Sequence, residues 1–138
     1  MKKVVSVSLG PSSKDIEFKT RFLGQDFLIK RVGADGDSGT AWEMLRRHQS
    51  ESDAIGLGMI QDHYDIGSRR LVHKETERLL KVVTRVPVTT GAALRRLLQV
   101  RAVRHLQKKL GNYFNNNLVL FLHGMVNYDM AQTMSDNT

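Results

Sequence analysis

Apolar and polar positions along this chain switch between a period of two and a period near 3.6, and the switches mark out its elements. Val5, Val7 and Leu9 alternate with Val4, Ser6 and Ser8, which predicts a first strand whose serine face either meets protein or borders a site. After the turn-rich Gly10-Pro11-Ser12-Ser13, alternation resumes at Ile16, Phe18 and Thr20 and again at Phe27 and Ile29, with Leu23-Gly24-Gln25-Asp26 between. Two strands joined by a short glycine-containing loop predict a hairpin. Thr40-Ala41-Trp42-Glu43 fits a capping box, and Ala41, Met44, Leu45 and His48 follow at helical spacing, so a helix is expected to start at Thr40. The run DAIGLGMI, residues 53–60, is continuous and apolar, as expected of a strand buried on both faces in a parallel sheet.

The second half is read in the same way. A polar loop is expected over Gln61 to Ser68, a short edge strand at RRLVH and a helix from Lys74 to Thr84. Val86-Pro87-Val88-Thr89 suggests a short strand whose proline belongs at its start or at a sheet edge. In GAALRRLLQVRAVRHLQKKLG, the stripe of Leu94, Leu97 and Leu98 lies nearly opposite that of Ala102, Val103, Leu106 and Leu110 at about 100° per residue. One straight helix cannot bury both stripes on one side, so a break is expected near Gln99. LVLFLHG predicts a last strand, and Val126, Met130 and Met134 the inner face of a last helix. Strands alternating with helices indicate an α/β three-layer domain with a mixed, largely parallel sheet.

Composition narrows the chemistry. There is no cysteine, which excludes disulfides, zinc-thiolate sites and cysteine nucleophiles and suits a cytoplasmic location. No apolar run reaches the roughly 18–20 residues of a membrane span. The net charge of +7 is unevenly spread: residues 1–68 hold nine Lys/Arg against ten Asp/Glu, 69–110 twelve against two, and 111–138 none against two. The basic stretch offers a surface for an anionic partner such as RNA, through Arg95, Arg96, Arg101, Arg104, Lys108 and Lys109. The plainer reading is a solvated helix face whose long side chains cover apolar surface. No aromatic residues interleave with these cations as single-strand stacking requires.

Open α/β sheets bind ligands beyond the carboxyl ends of their strands. There, Asp62, His63 and Asp65 follow Gly56-Leu57-Gly58 and offer a carboxylate-oriented imidazole for acid/base work, against the plainer reading of a solvated loop. No metal site is singled out. Gly10-Pro11-Ser12-Ser13-Lys14 has the small residues of a phosphate loop, but a strand follows it where anion binding needs a helix. Asp35-Gly36-Asp37-Ser38-Gly39 is not an EF-hand, since Arg46 stands where the bidentate Glu is needed. Gly124 stands where a dinucleotide fingerprint would begin, without the second and third glycines.

Taken together, VVSVSLGPSSKD, FLGQDFLIKRVGADGD, DAIGLGMI and VPVTTGAALRRLLQ resemble the amino-terminal part of the bacterial quinate/shikimate 5-dehydrogenase-like family. The resemblance implies a Rossmann-like fold, with residues 1–112 as an amino-terminal α/β domain and 113–138 as the first strand-helix unit of a second half, so that Thr138 falls inside that unit. It also implies oxidation of a cyclitol secondary alcohol, a small-molecule substrate, with NAD or NADP as cofactor. In that reading His63, with Asp62 or Asp65, is the acid/base, and the Gly124 turn is the approach to cofactor phosphate. The Asn-Val-Thr-x-Pro-x-Lys stretch of authentic shikimate dehydrogenases has no counterpart in RVPVTTG, so no catalytic residue carries over from it and activity does not follow from fold. A binding module and a homo-oligomer formed through the Met-rich last helix are the other readings.

Overall fold

The computed structural model describes residues 1–135; Asp136 to Thr138, and with them the expected end of the last strand-helix unit, lie outside the described residues. The chain is a mixed α/β protein with a five-stranded, mostly parallel sheet and, among the described residues, four α-helices. The described residues divide into two compact units, one of residues 1–62 and 72–91, the other of 63–71 and 92–135.

In the first unit, β1 (Lys2–Ser8) lies at the centre of the sheet, parallel to β3 (Gln25–Gly33) on one side and β4 (Ala54–Gly58) on the other. β2 (Ile16–Phe22) forms the expected antiparallel hairpin with β3. Its turn is tighter than the sequence suggested: Leu23 and Gly24 alone make it, both at positive φ (48° and 77°), the handedness that matches strand twist in two-residue hairpins. β7 (Val88–Thr89) adds a short parallel edge strand beside β4. Pro87 sits just before it, where its missing N–H costs no ladder bond, and its carbonyl accepts from Ile55 N–H at 2.9 Å.

The strand register sorts the two faces of this sheet. Val5 pairs with Ile55, and Val7 with both Leu57 and Val32, and these side chains join Ala41, Leu45 and Leu79 in the core. Ala41 and Leu45 come from α1 (Ser38–His48) and Leu79 from α2 (Lys74–Leu80). Alternate residues face the other way: Ser6 pairs with Gly56, and Ser8 with Gly58 and Gly33. The expectation that residues 53–60 are buried by side chains on both faces is thus corrected. Ile55 and Leu57 fill the core, while the intervening glycines leave the second face bare.

α1 begins earlier than Thr40. Asp37 is its N-cap, and its carboxylate accepts from Thr40 N–H at 2.7 Å, Gly39 N–H at 3.4 Å and the Thr40 hydroxyl at 2.6 Å. Thr40 therefore lies inside the first turn, because an aspartate three residues upstream caps the amides of Gly39 and of Thr40 itself. α2 is capped by His73, whose Nδ1 lies 3.4 Å from Thr76 N, and it ends at Leu80 rather than Thr84.

The second unit holds a small hairpin, β5 (His63–Ile66) and β6 (Arg69–Val72), where a polar loop and a sheet-edge strand were expected. Gly67, at φ 59°, makes its turn. α3 (Ala92–Leu110) runs unbroken through Gln99. It contains no interior Gly or Pro and is built of strong helix formers, so continuity wins over burial of both stripes: Val103 is buried, and Leu94, Leu97 and Leu98 remain 59, 46 and 56% exposed. Packing against α3 is α4 (Tyr128–Ser135). The strand expected at LVLFLHG is absent. Residues 118–122 are irregular, with Leu118, Leu120 and Leu122 largely in solvent, since an apolar run with no neighbouring strand has nowhere to place its backbone bonds.

Candidate functional site

β1, β3, β4 and β7 run parallel, so their carboxyl ends meet at one edge of the first unit. Four cross-bonds tie the loops together there. Ala34 N–H donates to Ser8 O (2.8 Å), Gly36 N–H to Leu9 O (2.8 Å), Asp35 N–H to Gly10 O (3.1 Å) and Leu9 N–H to Gly58 O (3.1 Å). Side chains add to the same knot. Arg31 donates to Pro11 O (3.0 Å), to Asp15 Oδ1 (3.1 Å) and to the hydroxyl of buried Ser8 (3.2 Å), and Asp15 also accepts from Gly33 N–H (2.7 Å).

Glycine is required at Gly33, where a Cβ would stand 2.5 Å from the carbonyl of Pro11; at Gly10 a Cβ would stand 2.8 Å from the guanidinium of Arg31, a side-chain tip that can shift. The loop after β1 therefore lies flat across the end of β3. Asp35 holds a left-handed φ of 50° and accepts from Ser12 N–H at 2.7 Å. That bond, more than any other contact, keeps its carboxyl below the usual carboxylate range. The Thr40 hydroxyl and amides do the same for Asp37. The edge thus presents two exposed carboxylates, both held below the usual range, on a rigid frame of loops in which Ser8 is buried and bonded to Arg31. Such carboxylates can accept hydrogen bonds from hydroxyl groups.

The residues singled out from the sequence fall elsewhere. His63 and Asp65 stand two apart on one face of β5, with Nε2 3.4 Å from Oδ2, so the structure does bring an imidazole to a carboxylate. Asp65 is also a structural hub. Arg70 binds it through Nε at 2.8 Å and Nη2 at 3.1 Å, and Arg96 approaches to 3.6 Å. The Arg70 hydrogen bonds hold its carboxyl below the usual range, which suits a group that orients an imidazole and not one that takes up a proton. Asp62 belongs to the first unit, where its carbonyl accepts from His73 N–H at 2.9 Å.

Gly124 lies in an exposed turn with no strand before it, and α4 starts four residues later. The six cations of α3 do not form one face. Arg101, Arg104 and Lys108 fall within about 60° on an exposed side, whereas Arg96 is turned to Asp65 and, at 3.2 Å, to Asp129. Among the described residues no group of three or more acidic or histidine side chains could hold a metal ion. Arg31, Asp15, Asp35 and Asp37 were missed in the sequence. Their signal was the spacing of Gly33, Gly36 and Gly39 around two aspartates, which read as an unremarkable loop.

Residues 3–90 match the family model described as Domain of unknown function (DUF8753), and residues 93–138 match Domain of unknown function (DUF8754). The chain belongs to the DUF8753 family, whose model covers the whole five-stranded sheet but for one residue at its start. No curated protein and no solved structure matches the chain.

Proposed function

We propose that the chain is the amino-terminal part of a quinate/shikimate 5-dehydrogenase-like oxidoreductase of the cytoplasm, and that the carboxyl edge of the five-stranded sheet binds its small hydroxylated substrate. The observation that carries this reading is the meeting of the loops after β1, β3 and β4 at this edge, where Ser8, Gly33 and Gly58 are cross-strand neighbours and Asp35 and Asp37 are exposed. Ligands of open α/β sheets favour this edge. Hydroxyls of a cyclitol would find acceptors in Asp35 and Asp37, and a substrate carboxylate would find Lys14, exposed in the same loop. The His63–Asp65 pair, offered by the sequence as the acid/base, belongs to the second unit, and no role at this edge is assigned to it. A three-layer, Rossmann-like arrangement is the finer form of the fold in this reading. No helix among the described residues is long and apolar enough to cross a membrane.

The nicotinamide cofactor enters through the resemblance alone. The residues around Gly124 do not fit one: a dinucleotide turn needs a strand, closely spaced glycines and a helix N-terminus, and Gly124 has an irregular segment before it and a delayed helix after it. No step is therefore derived through NAD or NADP.

Chemical-shift mapping with quinate and shikimate tests the proposal. Saturable movement of the amides of residues 8–10, 12, 33–37 and 58–60 is the expected result, and unmoved signals at millimolar ligand would overturn it. NAD and NADP are titrated in the same way. If a single-stranded RNA moves the signals of Arg101, Arg104 and Lys108 instead, with an affinity that falls steeply with salt, the anionic-partner reading replaces this one.

A further inference from the structure

The helices α1 and α2 touch one another on the core side of the sheet, and both run back from the carboxyl edge, so their last turns lie towards the opposite, amino edge. A groove of about 400 Å³, open to solvent, runs between those last turns, lined by Trp42, Arg46, Gln49, Arg78, Lys81 and Val82. It is remote from the substrate edge and has no part in the function proposed above.

Its chemistry is distinctive for this chain. Trp42 is the single tryptophan and remains 37% exposed. The Arg46 guanidinium lies over its ring, 4.7 Å from the centroid, a cation-π contact in the groove lining. Across from it stand Arg78 and Lys81. Lys81 bonds Glu77 at 2.8 Å, whereas neither Arg46 nor Arg78 has a carboxylate partner among the described residues. The floor is rigid, since Gln49 donates to Val82 O at 3.4 Å and accepts from Thr84 N–H at 3.1 Å.

Basic residues at helix carboxyl ends are favoured by the helix dipole. That accounts for the presence of Arg46 and Arg78, but it would be met equally well by cations spread over solvent. It accounts neither for their convergence on one groove nor for a half-exposed indole between them. Trp and Arg are the residues that most often anchor protein interfaces. An open groove does not enclose a small ligand as binding pockets do.

We propose that this groove is a docking site for an acidic peptide segment of another protein, with an apolar side chain laid against Trp42 and Val82 and flanking carboxylates paired with Arg46, Arg78 and Lys81. Charge complementarity selects the partner, and the indole supplies the anchor.

The lone tryptophan makes the test direct. The full chain is titrated with a short labelled peptide of alternating Glu and Leu, and Trp42 emission and peptide anisotropy are followed together. Saturable binding that weakens as salt is raised is expected, with losses of about two- to fivefold each for Arg78→Gln and Lys81→Gln, two exposed substitutions that leave the Trp42–Arg46 stack in place. Circular dichroism confirms that both variants are folded. Equal binding of the peptide with Gln in place of Glu would overturn the proposal, as would full competition by inorganic phosphate at the same concentration, or no change in either signal.

Discussion

The two units of this chain use apolar residues in opposite ways. In the first, Val5, Val7, Leu45, Ile55, Leu57 and Leu79 are almost wholly buried around one sheet. In the second, leucine is just as abundant but stays at the surface: Leu94, Leu97, Leu98, Leu118, Leu120 and Leu122 are all exposed, and of the described residues there only Val103 and Thr133 are buried. A polar network holds the second unit instead, with Arg96 bridging Asp65 of β5 and Asp129 of α4 and Gln99 reaching Asn127 at 3.4 Å. Apolar content sets what a segment can bury; neighbouring strands and helices decide what it does bury.

The sharpest way to break that contrast is to truncate one leucine in each unit. Leu57→Ala, at a site 1% exposed, is expected to cost about 2–5 kcal/mol in urea unfolding. Leu98→Ala, 56% exposed, should change stability by no more than about 0.5 kcal/mol. Equal losses would mean that the leucines of α3 are covered after all.

Next in size is Gly33→Ala. The added methyl meets the Pro11 carbonyl at 2.5 Å, and backbone cannot yield as a side-chain tip does, so a loss of about 1–3 kcal/mol is expected, together with shifted amide signals in residues 10–12. Wild-type stability in this variant would show that the loop does not rest on β3, and with that the frame that sets Asp35 against Ser12 would be lost.

Asp65→Asn acts on the other unit. Hydrogen exchange should speed up in β5 and β6 and leave β1 and β4 unchanged, because the two Arg70 bonds and the Arg96 contact all converge on that carboxylate. The wild type should show the same loss in acid. A carboxyl whose folded pKa lies below its unfolded value of about 3.9 stabilises fully above that value and loses the contribution as pH falls through the folded pKa. Exchange slowing or spreading to the large sheet would contradict the separation of the units.

The smallest effect belongs to His48 at the end of α1. Burial lowers its pKa, outweighing the Glu51 carboxylate beside it, so the unfolded chain binds the proton more readily. Its contribution is present above about pH 6.5 and declines as pH falls below that. His48→Gln should flatten the pH dependence of unfolding between neutral and mildly acidic solution, and an unchanged slope would assign that dependence to other groups.

The local patterns were legible where the chain supplies its own partner. The β2–β3 hairpin, the strand at Val5 to Leu9 and the helical spacing of Ala41 and Leu45 follow from alternation and turn chemistry between neighbours in sequence. The helix start was missed by three residues because Asp37 and Thr40 carry equivalent capping chemistry, and only the loop geometry after β3 chose between them. For the candidate site, the sequence offered His63 and Asp65 as a pair, and they do stand together. The Arg31–Asp15–Ser8 knot was not legible, since its members come from two strands, β1 and β3, and the loop between β1 and β2.

By itself, the sequence determined the periods, the mixed α/β class, the absence of thiol chemistry and the basic excess in residues 69–110, because these depend on residue identity and on short-range spacing. Tertiary structure alone decided that α3 runs unbroken through Gln99 with leucines of both stripes in solvent, that LVLFLHG stays irregular, and that Asp35 and Asp37 share an edge with Ser8 and Gly33. Each of these depends on which backbone groups find partners far along the chain, and a run of side chains carries no record of that.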